Sequence, residues 1–348
     1  MSSRAALSPL TISSRSVSIL RGSASVSQPG SPTFYGRISA LPSPCPLSVV
    51  QNDGPPDLTD SVSPLTPHGH AFGGQGDVSK AIWKRGKKCY FVAVKHIRPQ
   101  NNTLERNDKT EKRLRREIYI WSRLYHPNIV PLFGTITSQL GNFPLTSMVS
   151  AWMKNGNLSD YLTEQLLTVF ERIQILCEVA AGLVYLHSKD IIHGDLSGSN
   201  ILLNEGRHAC LSDFGMSSIK VEFIGTSYWS STIGGAIRWR APELLPSLVS
   251  DVYNFQPDLS SRCDIYSFGS VMLQVLSNKI PYDYIRRAEC VLIELFHRHP
   301  PRRPDSQILL DKHWRFIEKC WGTPNEPWTR PPAREVLAGI SVICDATV

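Results

Sequence analysis

The chain has 348 residues, 41% of them hydrophobic, enough to bury one large core or two smaller ones. The formal net charge of +7 admits acidic partners, but the basic residues are scattered and do not alternate with aromatics, which counts against nucleic-acid binding. No apolar run reaches the roughly 18 residues of a membrane span, and no apolar stretch marks the start for secretion. The eight cysteines form no CxxC pair and no zinc-like His/Cys spacing, so they read as free thiols in a reducing, cytoplasmic setting.

In chain order, residues 1 to about 60 come first. They are rich in serine and proline, poor in aromatics and without periodicity, so they cannot bury enough apolar surface to offset their ordering entropy and are predicted disordered. Before Asp53 this tail carries Arg4, Arg15, Arg21 and Arg37 and no acid. Mitochondrial transit peptides share that composition, so import stands beside a plain flexible tail as an alternative. From about residue 62 the sequence turns globular. Strands are predicted at Phe91–Lys95, Ile129–Gly134 and Ser147–Trp152, with one helix among them at about 109–125. Lys84, Arg85, Lys87 and Lys88 lie between two strand-like runs, as in a solvated hairpin turn. Lys112 to Arg116 is expected on the exposed face of the helix. Beyond residue 155 helices dominate, at about 158–166, 168–188, 261–276, 285–298, 308–321 and 332–343. Strands followed by helices indicate an α+β protein in two lobes, and there is no internal repeat.

Several short patterns carry chemistry. Gly73, Gly74 and Gly76, in Ala71–Val78, would let backbone N–H groups approach a phosphate, although a structural turn explains glycines equally well. In Val92-Ala93-Val94-Lys95 the lysine follows a run apolar on both faces, so it emerges either into covered space or onto the surface. A covered ammonium needs an anionic partner. Leu114, Glu117, Ile118, Trp121 and Tyr125 recur at helical spacing and put Glu117 on the apolar face, where Lys95 and Glu117 would answer each other; a rotated helix would leave Glu117 in solvent. The strongest signal is His193-Gly194-Asp195-Leu196-Ser197-Gly198-Ser199-Asn200, followed by Leu211-Ser212-Asp213-Phe214-Gly215. Asp195, Asn200 and Asp213 are hard oxygen groups on loops, suited to Mg²⁺ and the phosphates it accompanies.

In this order and spacing the motifs, with Ala241-Pro242-Glu243, Asp264 in an apolar helix and Arg330-Pro331, resemble the eukaryotic protein kinases from about residue 62 to 343. Trp239 and His126–Val130 make the chain similar to the tyrosine-kinase-like group. The resemblance implies a two-lobed α+β fold: a small β-rich lobe with one long helix, about 62–151, and a larger, mainly helical lobe, about 154–343. It implies ATP and Mg²⁺, a protein substrate, and transfer of the γ-phosphate to protein hydroxyls, with Ser/Thr favoured. Carried over by position, Lys95 held by Glu117 would grip the α- and β-phosphates under Gly73, Gly74 and Gly76. Val78, Ala93 and Leu202 would sandwich the adenine, Ser150 would be the gatekeeper, and the backbone of Ala151 to Met153 would bond the purine. Asp213 and Asn200 would hold the metal, and Asp195 would accept or orient the substrate proton. Trp121, Leu132, His193 and Phe214 would stack on Asp264, and Arg330 would pair with Glu243.

The sequence also departs from the family. Ala71 replaces the first loop glycine, and Gly194 replaces the arginine that receives an activation-segment phosphate. Ser197 and Ser199 stand where a lysine or arginine would neutralise the transferring phosphate. Ser217, Ser218, Thr226, Ser227, Tyr228, Ser230, Ser231 and Thr232 make the activation segment rich in hydroxyls open to phosphorylation. A pseudokinase that binds nucleotide without transfer is the alternative, since fold does not fix function. A small-molecule phosphotransferase is disfavoured by Glu243, Asp264 and Arg330. Substrate, pathway and oligomeric state stay open.

Overall fold

The computed structural model describes residues 54–345, apart from 66–69, 74–75, 97–103, 141–142, 215–217, 220–235, 247–254 and 256. The predicted tail therefore lies outside the described residues up to 53. Residues 54–60, expected to belong to it, are ordered against the first lobe.

The first lobe is an antiparallel sheet. Its strands are β1 (Val62–Pro64), β2 (His70–Gly73), β3 (Gly76–Arg85), β4 (Lys88–His96), β5 (Leu132–Leu140) and β6 (Phe143–Ala151), in the order β1-β3-β4-β6-β5 with β2 also on β3. The basic cluster forms the β3–β4 hairpin as expected. Arg85 pairs with Lys88, and Gly86 takes a left-handed φ of 60° in the two-residue turn. The register sets Val78 opposite Lys95, Lys80 opposite Ala93, and Ala93 opposite Ser150. Helix α1 (Leu104–Trp121) lies between β4 and β5 in sequence.

Ahead of β1, residues 56–59 form a strap along β5. Leu58 N donates to Thr135 O at 2.7 Å, and Thr135 N to Pro56 O at 2.9 Å. Leu58 is buried in a cluster with Trp83, Tyr90, Val92 and Val149. The approach is so close that a Cβ on Gly134 would sit 2.3 Å from Pro56 O, which is why no larger residue fits there.

The second lobe packs α2 (Leu158–Glu164), α3 (Val169–Ser188), α4 (Ser261–Ser277), α5 (Ala288–Phe296), α6 (Asp311–Trp321) and α7 (Ala333–Asp345). Between α3 and α4 run the short strands β7 (Ile191–Ile192), β8 (Ile201–Leu203), β9 (Ala209–Leu211) and β10 (Ser218–Ile219), paired β8–β9 and β7–β10. Helix α3 starts at a capping box, with Thr168 Oγ1 accepting from Glu171 N at 3.2 Å and Thr168 N donating to Glu171 Oε2 at 2.8 Å. Helix α4 is buried on every side from Cys263 to Leu276, which makes it the axis of the lobe.

Several boundaries differ from the sequence expectation. Helix α1 begins at Leu104 and stops at Trp121, because the chain tightens through Arg123 N to Ile120 O and Leu124 N to Trp121 O and then meets Pro127. Tyr125 is thus half exposed rather than on the helix's inner face, and Arg116 of the basic cluster is partly buried. Strand β5 begins at Leu132, since Pro131 has no N–H to give; Ile129 makes an isolated bridge to Leu211 instead. Helix α5 is shorter than 285–298, ending where Arg298 turns left-handed at φ 61°.

Candidate active site

The site lies where the sheet meets the loops of the second lobe. Lys95 leaves β4 toward α1, and its Nζ is 2.7 Å from Glu117 Oε1 and 3.0 Å from Asp213 Oδ1. Glu117 is 1% exposed, so the reading in which it faces solvent is excluded. Burial lowers the Lys95 pKa, but Asp213 and Glu117 more than offset it and hold the ammonium above the ordinary lysine range. Three distant parts of the sequence thus converge on one nitrogen.

Below them, Asp195 is buried at the end of a loop locked from underneath. Asp264 Oδ2 accepts from His193 N and its Oδ1 from Gly194 N, both at 2.9 Å. Gly194 meets that geometry with a left-handed φ of 78°, which glycine adopts without strain. His187 Nε2 lies 2.8 Å from Asp264 Oδ2, a contact that sequence reading missed. Burial would raise the Asp264 pKa, but the His187 hydrogen bond and charge, His193 and the Gly194 N–H together leave it below the usual carboxylate value.

Asn200 Nδ2 donates to Asp195 O at 2.8 Å and to Asp195 Oδ2 at 3.2 Å. On the other side, Arg240 Nη2 is 3.2 Å from Asp195 Oδ1. Burial pushes the Asp195 pKa up, and Arg240 and His193 oppose that while Asp213 adds to it. Asp213 holds a left-handed φ of 62°, an uncommon conformation for a non-glycine residue and one that clusters at functional sites.

The expected stack is present. The Phe214 ring lies 5.8 Å from Trp121 and 5.7 Å from His193, with Leu132 in the same buried cluster. Trp121 Nε1 donates to Val130 O at 2.6 Å. Ser150, Ala93 and Met153 are buried, Val78 and Leu202 partly so. Gly73 pairs with Gly76 across the β2–β3 turn. Gly74 lies outside the described residues, as do all the activation-segment hydroxyls except Ser218, which pairs with Ile192.

A model of the family described as protein tyrosine and serine/threonine kinase matches residues 71–340. The chain belongs to this family. The kinase domain is 29% identical, over 78% of the chain, to a putative serine/threonine-protein kinase/receptor of Acanthamoeba polyphaga mimivirus, covering 15% of that protein. It is 30% identical, over 79% of the chain, to a dual specificity protein kinase of Dictyostelium discoideum, covering 51% of it. It is 26% identical, over 77%, to a serine/threonine/tyrosine-protein kinase of Arabidopsis thaliana, covering 63% of it. The chain therefore spans less than two thirds of the length of each of these relatives.

Sequence reading missed Arg240. Its signal was the second arginine in Ile237-Arg238-Trp239-Arg240, placed immediately before Ala241-Pro242-Glu243.

Proposed function

We propose that this chain is an active protein kinase that transfers the γ-phosphate of ATP to serine or threonine hydroxyls of a protein substrate. The observation that carries the reading is Lys95, shared between Glu117 at 2.7 Å and Asp213 at 3.0 Å, because it joins the phosphate-gripping lysine to the metal-binding carboxylate in one assembled site. The relative named a putative serine/threonine-protein kinase/receptor favours that hydroxyl class.

The residues suit Mg²⁺. Asp213 offers a carboxylate, and Asn200, with its Nδ2 committed to Asp195, leaves Oδ1 as an acceptor for a hard cation. When bound, Mg²⁺ neutralises phosphate charge. In this reading Lys95 orients the α- and β-phosphates, and Gly73, Gly74 and Gly76 cover them with backbone N–H groups. Val78, Ala93 and Leu202 enclose the adenine beside Ser150 and Met153. Asp195 orients the substrate hydroxyl and takes its proton as the new P–O bond forms and ADP leaves. The catalytic domain is taken as 62–343. Cytoplasmic placement is supported by the free cysteines, among them Cys210, Cys263 and Cys320.

Radiolabelled ATP with a mixed Ser/Thr/Tyr peptide library tests the reading. Label on Ser or Thr peptides with the wild type, lost with Asp195→Asn, is expected. A thermal shift with Mg-ATP but no transfer by the wild type would replace this reading with a nucleotide-binding pseudokinase.

A further inference from the structure

The loop that carries Asp195, His193 to Asn200, contains no lysine and no arginine. A transferring phosphoryl group and the carboxylate beside it are both anionic, and a cation fixed beforehand lowers the barrier without reorganisation. Ser197 marks the gap: its Oγ is buried and has no hydrogen-bond partner among the described residues.

A cation reaches the loop from elsewhere in the chain. The Arg240 side chain is 3% exposed, with Nη2 3.2 Å from Asp195 Oδ1, while Asn200 Nδ2 holds the other carboxylate oxygen at 3.2 Å. Asp195 is therefore gripped on both oxygens. The backbone that carries Arg240 is firmly mounted. It lies between the 3₁₀ turns Ile237–Trp239 and Pro242–Leu244, in a stretch without glycine. Trp239 Nε1 donates to Gln274 Oε1 at 3.1 Å, and Arg238 Nη1 to Tyr282 O at 2.7 Å. A guanidinium held so rigidly against a buried carboxylate loses little entropy in keeping its contact.

We propose that Arg240 replaces the missing loop cation: it is a positioning residue that holds the Asp195 carboxylate in place, aimed at the substrate hydroxyl. The inference rests on the protein-kinase reading above. Removing Arg240 takes away the contact on Asp195 Oδ1 and leaves the Asn200 contact on Oδ2.

The experiment compares kcat and KM for ATP in the full chain for wild type, Arg240→Met, Arg240→Lys and the double variant Arg240→Met/Ser197→Lys. Arg240→Met is expected to lower kcat about ten- to hundredfold with KM for ATP nearly unchanged. Arg240→Lys should fall between the two, and Ser197→Lys should restore kcat in the Arg240→Met background. If Arg240→Met does not fold, the fall of kcat at unchanged KM in Arg240→Lys carries the comparison. An unchanged kcat, a loss that appears in KM for ATP instead, or no rescue, in variants of an active wild type overturns the role of Arg240 alone. Absence of transfer by the wild type strikes at the kinase reading itself.

Discussion

Arg330 grips Glu243 with both prongs of its guanidinium, Nη1 on Oε1 and Nη2 on Oε2, the second contact at 2.9 Å, across 87 residues of sequence. Arg330 Nε also donates to Trp321 O at 2.8 Å, so the pair ties the end of the activation segment to the end of α6. Both side chains are largely buried, and removing one partner strands the other's charge. Arg330→Met is expected to lower the unfolding free energy by about 3–5 kcal/mol, and Glu243→Leu/Arg330→Met by less. Urea denaturation of the two variants checks this; a double variant less stable than the single would refute the coupling.

Lys95→Met removes the ammonium shared by Glu117 and Asp213. Phosphate transfer should fall by at least about a hundredfold while a cooperative thermal transition survives. Because the two carboxylates keep Lys95 charged well above neutrality, no limb of the wild-type pH profile should belong to it. A Lys95→Met variant that labels peptides at the wild-type rate would remove Lys95 from the machinery.

Asp264 predicts a pH dependence of stability. Its folded pKa lies below the ordinary value of 3.8. The sign follows: unfolding raises the carboxylate's proton affinity, so the contribution is complete above that ordinary value and is lost as pH falls through the folded one. Denaturant midpoints should therefore drop on acidification in the wild type, and less steeply in Asp264→Asn. Equal slopes would show that the carboxylate is not what anchors His193 and Gly194.

Trp121 joins α1 to Phe214 by ring contact and to Val130 by a hydrogen bond. Trp121→Phe should cost about 1–3 kcal/mol, chiefly from the unanswered Val130 carbonyl, and leave most activity. Trp121→Ala should cost about 3–5 kcal/mol and reduce kcat as well, since Glu117 loses the support of the end of its helix. Calorimetry and a peptide assay on the pair separate the two effects.

What the sequence disclosed follows from distance along the chain. Asp195 and Asn200, or Asp213 and Phe214, lie within one loop each, so they form short motifs that carried the family resemblance from which their roles were implied. Lys95 with Glu117 was legible because each is an ion on an apolar face that needs a partner. Arg240 was not legible, because nothing local to it signals that its guanidinium turns back 45 residues to Asp195. His187 on Asp264 stayed hidden for the same reason. Helix ends were missed where proline or a left-handed residue outweighed the apolar period, as after Trp121 and at Arg298.

The strap at residues 56–59 closes an open question about the sheet's border. Strand β5 is the last in the order β1-β3-β4-β6-β5, and a border strand offers unsatisfied amides to any other extended chain. Asp57 meets Thr135 in parallel there, and Thr59 Oγ1 accepts from Thr137 N at 2.9 Å. The family match begins at residue 71, beyond this strap. A chain trimmed to the match would keep every catalytic group and still expose the border of β5 and the apolar seat of Leu58. Its failing would be self-association between copies before any loss of chemistry.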